Sequence, residues 1–259
     1  MAAALVVTCE TDEQCQPAAA LARQLGLPFS FPPAGEYDAS LVLTPERLEL
    51  RLLRPIDSIR SLPGPIHAEF VKGGLDYRRR HGGGRRQPLG RAVGLKPHHN
   101  PLVFDATAGL GRDGFILAHL GCRVHLVERS PVIAALLADG LKRAAACDLA
   151  APVVERLSLE VGDSRKILAG LDVRKRPEVI YLDPMFPHRT KSSLVKKEMR
   201  LLRLLVGEDP DDAELLDMAL QQAGYRVVVK RPRLAPAIAG PPPTMTIDSK
   251  NSRYDVYLR

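Results

Sequence analysis

The chain has 259 residues, enough for one large domain or for a domain of ordinary size with a smaller companion. Its apolar content of 45% comes without any apolar run near the roughly 18 residues of a membrane span, and the first residues lack the basic start and long apolar stretch of a signal peptide, so we expect a globular cytoplasmic protein. The four cysteines form no C-x-x-C pair and have no histidine at ligand spacing, which argues against a metal site, while the net charge of +7 favours a polyanionic partner.

Residues 1–70 predict a small α+β subdomain without chemistry of its own. An apolar strand at 5–8, a helix at 17–25 and strands at 40–43 and 48–53 are separated by frequent prolines. A basic, glycine-rich connector follows at 71–100, and we expect residues 101–259 to form the larger domain.

From residue 102 onward, short apolar runs alternate with helical stretches. Strands are predicted at 102–106, 123–128, 157–161, 178–183 and 225–230, and helices near 113–120, 130–146, 193–206 and 211–223. This alternation is typical of a parallel sheet covered by helices on both faces, a doubly wound α/β fold. The tail alternates apolar and polar residues on either side of a Ser-Lys-Asn-Ser turn, which predicts a closing β-hairpin.

The loop after the first of these strands reads DATAGLGRDG and holds a glycine pattern. Gly109, Gly111 and Gly114 satisfy G-x-G-x-x-G, which by itself favours NAD and keeps an NAD-dependent oxidoreductase open as an alternative. Asp105, however, ends the strand close to where a pyrophosphate would lie. Its carboxylate would repel that group but suits the ammonium and sulfonium of S-adenosylmethionine (SAM), so we favour SAM as cofactor and S-adenosylhomocysteine (SAH) as its product.

Polar side chains at the following strand ends extend this site in the order that one nucleoside ligand needs. Glu128, at the end of the second strand, suits the two ribose hydroxyls. For Asp163 and Ser164, after the third strand, an adenine contact and a helix cap are equally good accounts. The predicted cofactor contacts are Asp105, Gly109, Gly111, Arg112, Asp113, Glu128, Arg129, Asp163, Ser164 and Asp183.

The fourth strand ends in YLDPMFPHRTKSS. Packing alone does not explain why an apolar strand is followed by an acid, two prolines, an aromatic residue and a run of basic residues. The exocyclic amine of adenine or guanine is a poor nucleophile because its lone pair is delocalised into the ring, so a site must hold its hydrogens and aim the lone pair. We predict that Asp183 and the carbonyl of Pro184 are the acceptors, that Asp183 takes the released proton, and that Phe186 offers a ring face to an extruded base. These three are the predicted catalytic residues, and the reaction they support requires no metal.

Four segments together resemble one known family. DATAGLGRDGF (105–115), ERSPVIAALLADGL (128–141), YLDPMFPHRTKSSLVKKEMR (181–200) and VVVKRP (227–232) are similar to the bacterial small-subunit ribosomal RNA methyltransferase J family. The resemblance implies a class I SAM-dependent methyltransferase fold, which is Rossmann-like, and methylation of the N2 amine of a guanosine near the 3′ end of 16S rRNA. The choice of guanine over adenine comes from the resemblance alone.

Two basic segments flank the predicted pocket in sequence. Between residues 71 and 99 eight lysines and arginines face one acid, Asp76, an excess equal to the net charge of the whole chain. A second run, residues 189–203, directly follows the catalytic motif. Taken alone, the second run is better accounted for by a helix with a solvated basic face. Because it lies next to the predicted base pocket, we predict that both segments contact phosphates of 16S rRNA or of the small ribosomal subunit. The predicted RNA contacts are Arg78, Arg79, Arg80, Arg85, Arg86, Arg189, Lys191, Lys196 and Lys197. A catalytically inactive RNA-binding protein with this fold is the remaining alternative.

Overall fold

The computed structural model describes residues 3–55, 64–73, 83–184 and 211–259. These residues form two compact units, the first made of the residues up to 68 together with 131–143, and the second made of the other described residues. In chain order, the elements are β1 (Leu5–Cys9), α1 (Cys15–Leu25), β2 (Ala39–Leu43), β3 (Leu48–Leu52), α2 (Pro88–Ala92), β4 (Leu102–Asp105), α3 (Arg112–His119), β5 (Arg123–Glu128), α4 (Pro131–Ala145), α5 (Ala151–Val154), β6 (Leu157–Val161), α6 (Ser164–Ala169), β7 (Val179–Leu182), α7 (Asp212–Gln222), β8 (Arg226–Pro232), β9 (Met245–Asp248) and β10 (Ser252–Leu258), with short 3-10 turns at Asp12–Gln14, Gly84–Arg86 and Val173–Lys175.

The first unit contains a three-stranded sheet with the order β1-β2-β3. β1 pairs with β2 in parallel, and β2 pairs with β3 antiparallel. α1 buries Ala18 and Ala22, which lie one turn apart on the same helix face. The helix ends at Gly26 because this residue adopts a φ of 65°, a left-handed conformation that only glycine adopts readily. The predicted α+β character of the amino-terminal residues is confirmed.

The second unit contains a seven-stranded sheet with the order β6-β5-β4-β7-β8-β10-β9. All its pairs are parallel except those that β10 makes with β8 and β9. The predicted doubly wound sheet and its closing hairpin are therefore confirmed. The helix predicted at 193–206 lies outside the described residues. None of the helices in the described ranges is long and apolar enough to cross a bilayer.

The order of the strands reverses at β4. The chain runs outward from β4 to β5 and β6, and then returns to place β7 on the other side of β4. In such sheets ligands bind beyond the carboxyl ends of the strands at this switch point. The ends of β4, β5, β7 and β8 therefore define where a functional site is expected.

One face of this sheet packs against α6 and α7. Leu182, Val227 and Val229 from the strands meet Leu216 and Ala219 from α7, and all five are completely buried. Each fully buried valine or leucine side chain contributes about 1.5 to 3 kcal/mol. Because side chains alternate between faces, Tyr181, the neighbour of Leu182, is directed to the opposite face, where its hydroxyl donates to Asp113 at 2.8 Å.

Residues 83–100, within the predicted connector, carry local structure that the sequence did not suggest. Leu89, Ala92 and Val93 in and after α2 are completely buried. The Ala92 carbonyl accepts a hydrogen bond of 2.9 Å from Arg226 Nη1 at the start of β8. α2 is thereby anchored beside the amino end of β8.

Candidate active site

The glycine-rich loop after β4 makes a tight turn into α3. Gly109 and Gly111 have φ values of 54° and 72°, in the left-handed region that favours glycine. Gly114, inside α3, has a different reason: a Cβ atom at this position would clash with the Leu126 side chain and lie 3.3 Å from Asp105 Oδ2. Glycine therefore lets α3 lie directly against β5 and the end of β4.

Glu128 ties the end of β5 to this glycine turn. Its Oε2 accepts the Gly109 N–H at 2.8 Å, and its Oε1 accepts the Ser130 N–H at 2.8 Å. These two bonds fix the carboxylate beside the glycine turn. The fixed carboxylate suits the ribose contact, which stays a prediction.

The residues after β6 are held by contacts within the chain. Ser164, which is buried, donates from Oγ to the Ala106 carbonyl at 2.6 Å. Asp163 caps α6 by accepting the Arg165 N–H at 3.0 Å, and its hydrogen bond from the Arg165 side chain lowers its pKa. The capping role that the sequence left open is thus present in the structure, and the adenine contact of these residues stays a prediction.

The two arginines of the predicted cofactor set differ in setting. Arg112 is the exposed first residue of α3. Arg129 follows β5, and its Nη1 lies 3.6 Å from Asp211 Oδ1. Contacts of either residue with a methionine carboxylate or an adenine ring stay predictions.

A chain of short polar contacts joins α3, β7 and β8. Asp113 Oδ2 accepts the Tyr181 hydroxyl at 2.8 Å and Lys230 Nζ at 2.7 Å. Lys230 Nζ also donates to Asp183 Oδ2 at 2.6 Å. The Asp183 N–H donates to Thr107 Oγ1, in the glycine loop, at 2.6 Å. The predicted catalytic acid and the predicted cofactor loop are therefore in direct contact.

The sequence reasoning missed Lys230, Tyr181 and Thr107 as parts of this site. Lys230 is the charged residue that follows the apolar run VVV of β8, near the edge of the sheet where ligands bind. Tyr181 precedes Asp183 by two positions in β7, so the two side chains lie on one face. The positions of Lys230 and Tyr181 in their strands could therefore have identified them as parts of the site.

The site holds more carboxyl groups than cations. Burial raises the pKa of Asp105 to about 8, and the neighbouring carboxylates of Asp113 and Asp183 add to that rise. Burial raises the pKa of Asp183, Lys230 acts against this, and Asp113 adds to it. Burial alone would lower the pKa of Lys230, but Asp183 and Asp113 outweigh it and keep the ammonium charged. In the described part of the chain, three carboxyl groups thus surround one ammonium, an arrangement that favours a cationic ligand over a pyrophosphate.

Several predicted residues cannot be placed in this site. Pro184 follows Asp183 within the described residues. Phe186, Arg78, Arg79, Arg80, Arg189, Lys191, Lys196 and Lys197 lie outside them. In the described part of the chain, no group of three or more His, Cys, Asp or Glu side chains is arranged to hold a metal ion.

Comparison with known proteins gives consistent matches over nearly the whole chain. A family model described as a putative SAM-dependent methyltransferase matches residues 21–259. Ribosomal RNA small subunit methyltransferase J of Nitrosococcus oceani is 50% identical over 248 residues, which cover 95% of each chain. The protein of the same name from Dechloromonas aromatica is 51% identical over 240 residues, covering 93% of this chain and 94% of that one. The crystal structure of a SAM-dependent methyltransferase from Neisseria gonorrhoeae is 33% identical, has a TM-score of 0.74, and covers 98% of this chain and 95% of its own.

The switch-point sheet, the glycine turn and the acidic site define a class I SAM-dependent methyltransferase. The predicted cofactor is thereby confirmed, and the alternative of an NAD-dependent oxidoreductase is not supported. Within this class, the chain belongs to the ribosomal RNA small subunit methyltransferase J family.

Proposed function

We propose that this protein transfers a methyl group from SAM to the N2 amine of a guanosine near the 3′ end of 16S rRNA. The coarser activity, SAM-dependent methylation of ribosomal RNA, follows from membership of a family whose relatives carry that name. One observation carries the assignment to an amine acceptor: the Asp183-Pro184 pair lies at the carboxyl end of β7, with the Asp183 N–H bonded to Thr107 of the cofactor loop at 2.6 Å.

The chemistry places a specific demand on Asp183. Bound SAM supplies an electrophilic methyl group on a sulfonium. The Asp183 carboxylate and the Pro184 carbonyl accept the two amine hydrogens, which turns the nitrogen lone pair away from the ring and toward the methyl carbon. The proton that the amine loses passes to the Asp183 carboxylate and from there to solvent.

Asp183 is oriented by a charged neighbour. Lys230 fixes its Oδ2 at 2.6 Å and is itself held by Asp113 at 2.7 Å. The side chain of Asp183 nevertheless keeps 39% of its surface exposed, so it is accessible to a substrate group. The arrangement combines a fixed acceptor with an open approach, which is what a base amine requires.

The charge of the chain supports an RNA substrate. The sequence has a pI of about 9.4 and a net charge of +7. Of the two predicted RNA contacts in the described residues, Arg86 is exposed, whereas Arg85 donates hydrogen bonds to the Asn100 side chain at 2.7 Å and to the Leu120 and His99 carbonyls at 2.9 and 3.0 Å. We assign the phosphate contact of this pair to Arg86.

The test is mass mapping of 16S rRNA from a strain that lacks this protein. We expect one methylated guanosine near the 3′ end to become unmethylated, wild-type protein to restore the methyl group, and Asp183→Ala to fail to restore it. Asp148→Ala, an exposed acid in the turn after α4, is the matched control and should restore it fully. An unchanged methylation pattern in the deletion strain would contradict the proposal and favour an RNA-binding protein without catalytic activity. Full restoration by Asp183→Ala would contradict the role given to Asp183.

A further inference from the structure

A cavity of about 310 Å³ lies beside the acidic site, between the start of α2 and the turn of the closing hairpin. It is lined by Gln87, the first residues of α2, Lys230, Tyr254 and the turn residues 249–252. This volume is at the lower end of the roughly 300 to 1,000 Å³ typical of ligand sites, which suits a single nucleotide.

Strand pairing places the cavity at the carboxyl edge of the sheet. Lys230 pairs with Tyr254 across β8 and β10, so the hairpin turn lies beyond Lys230 in the direction in which β8 ends. Leu182 pairs with Val229, so the residues that follow them, Asp183 and Lys230, lie side by side. Lys230 therefore belongs to both places, since it lines the cavity and contacts Asp183 Oδ2 at 2.6 Å.

The lining of the cavity has the opposite charge character to the cofactor site. The polar residues that line it are Lys230, Lys250, Gln87, Asn251, Ser249 and Ser252, and the apolar part comes from Pro88, Leu89 and Tyr254. The Gln87 side-chain amide donates to the Gly84 carbonyl at 3.0 Å. None of the described residues that line it carries a carboxylate. Lysines attract an anion, amides both donate to and accept from base edges, and apolar and aromatic surface accommodates a flat ring.

We propose that this cavity receives the target nucleotide of the RNA, with its base amine at Asp183, its polar edge against Asn251, and its phosphate beside Lys250. The inference rests on the proposed function, because it uses Asp183 as the acceptor for the amine. Lys230 divides the two sites: the cationic cofactor lies on the side of Asp105 and Asp113, and the anionic nucleotide lies on the side of the hairpin turn. An enzyme acting on a base within structured RNA needs such a pocket because the base must leave its stack to reach the methyl group.

The position of this cavity also connects it to the basic segment. Gln87 directly follows Arg86, which is exposed, so the basic segment reaches the rim of the cavity at this point. A strand of RNA held through its phosphates along the segment would thus be directed toward the pocket.

Small-subunit particles from the deletion strain serve as substrate for three variants: Lys250→Gln, Asn251→Ala and Ser252→Tyr. We expect Lys250→Gln and Asn251→Ala to raise KM for the particles about tenfold, the effect of losing about 1.4 kcal/mol of binding. Ser252→Tyr fills the cavity and should lower kcat/KM by about a hundredfold or more. Affinity for SAH, measured by isothermal titration, should stay within about twofold of wild type for all three.

Two control variants test whether the effects come from this cavity and not from a general loss of positive charge. Lys175→Gln removes an exposed lysine before β7, at the amino edge of the sheet, and should leave KM unchanged. Lys250→Arg keeps the charge and should recover most of the lost affinity. Circular dichroism and the melting temperature establish that each variant is folded.

Wild-type KM and kcat in folded Ser252→Tyr and Asn251→Ala would overturn the proposal, and so would a parallel loss of SAH affinity, which would make the cavity part of the cofactor site. If the wild-type protein methylates no amine, the proposed function fails independently. Equilibrium binding of 16S rRNA to wild type and Ser252→Tyr then still decides the matter, because equal affinities would remove the cavity as a nucleotide site.

Discussion

Lys230 Nζ lies 2.6 Å from Asp183 Oδ2 and 2.7 Å from Asp113 Oδ2, so a single ammonium joins the predicted catalytic acid to an acid of the cofactor side. The three residues come from β8, the end of β7 and α3. Ion pairs that are partly withdrawn from solvent contribute through geometry and pKa more than through net stability. The Lys230 ammonium therefore links the protonation of Asp183, the predicted catalytic acid, to a residue remote from it in sequence.

Replacing Lys230 with Met should shift the pH dependence of catalysis. Lys230 opposes the rise in the pKa of Asp183, so its removal raises that pKa further and the ionised carboxylate is reached only at higher pH. We expect kcat at pH 7 to fall about a hundredfold and the acid limb of the pH–rate profile to move toward alkaline pH, measured by methyl incorporation under saturating RNA. Lys230→Arg keeps the charge and should move the limb less. A uniform loss of activity at all pH values would instead indicate a structural role.

Binding of SAH should release protons through Asp105. The pKa of this buried carboxyl is raised to about 8, so at neutral pH it carries a proton that the ammonium of the ligand displaces. Affinity is expected to rise with pH up to about 8, by at most about tenfold per unit, and to level off above. Titration calorimetry in buffers of different ionisation enthalpy measures the released proton. Asp105→Asn should bind more weakly and without this pH dependence.

The raised pKa of Asp105 also predicts how the stability of the ligand-free protein depends on pH. Asp105 is protonated in both states below its ordinary pKa of 3.8, and above that value only the unfolded chain releases the proton. The stability it contributes is therefore fully present at low pH and is lost as pH rises toward 8. The free energy of unfolding of Asp105→Asn, from urea titrations, should fall less between pH 5 and 8 than that of wild type.

Gly114→Ala should destabilise the protein and weaken SAH binding. The added methyl group would clash with Leu126, so α3 must move away from β5 and carry the glycine turn with it. Overpacking of this kind costs about 1 to 3 kcal/mol. The double variant Gly114→Ala with Leu126→Ala should recover part of the SAH affinity because it removes the clashing atoms. Gly170→Ala is the control, since its nearest atoms lie at 3.6 and 3.7 Å and the melting temperature should barely change.

Arg85→Ala and Arg86→Ala should have different effects although the residues are adjacent. Arg85 bonds to Asn100, Leu120 and His99, so its removal should lower the melting temperature by several degrees, as a loss of about 1 to 3 kcal/mol does in a domain of this size. Arg86 is exposed, and its removal should leave the melting temperature unchanged. The slope of the logarithm of the rRNA binding constant against the logarithm of salt concentration should become shallower by about one. The reverse pattern would show that Arg85 makes the phosphate contact.

The strands, the glycine turn and the motif at the end of β7 could be predicted from sequence because their signals are local. Alternation of apolar residues sets each strand, and Asp105, Glu128 and Asp183 are found by asking what each strand ends in. The order of parallel strands then brings these ends to one edge. For these three acids, the order of strands in the sequence is therefore enough to predict that they lie at the same edge of the sheet.

Only the tertiary structure decided which remote side chains complete the site. Lys230 contacts Asp113 across 117 positions and Asp183 across 47, distances that no local pattern reports. Gln87 and Asn251 line one cavity because α2 and the hairpin turn meet there. Arg85 differs from Arg86 because packing brings the Asn100 side chain and several carbonyl groups within hydrogen-bond distance of its guanidinium. The local pattern of apolar residues determines which helices and strands form and where they end. Contacts between remote side chains depend on the order in which the strands pair and on which charged groups the fold brings close enough to form ion pairs.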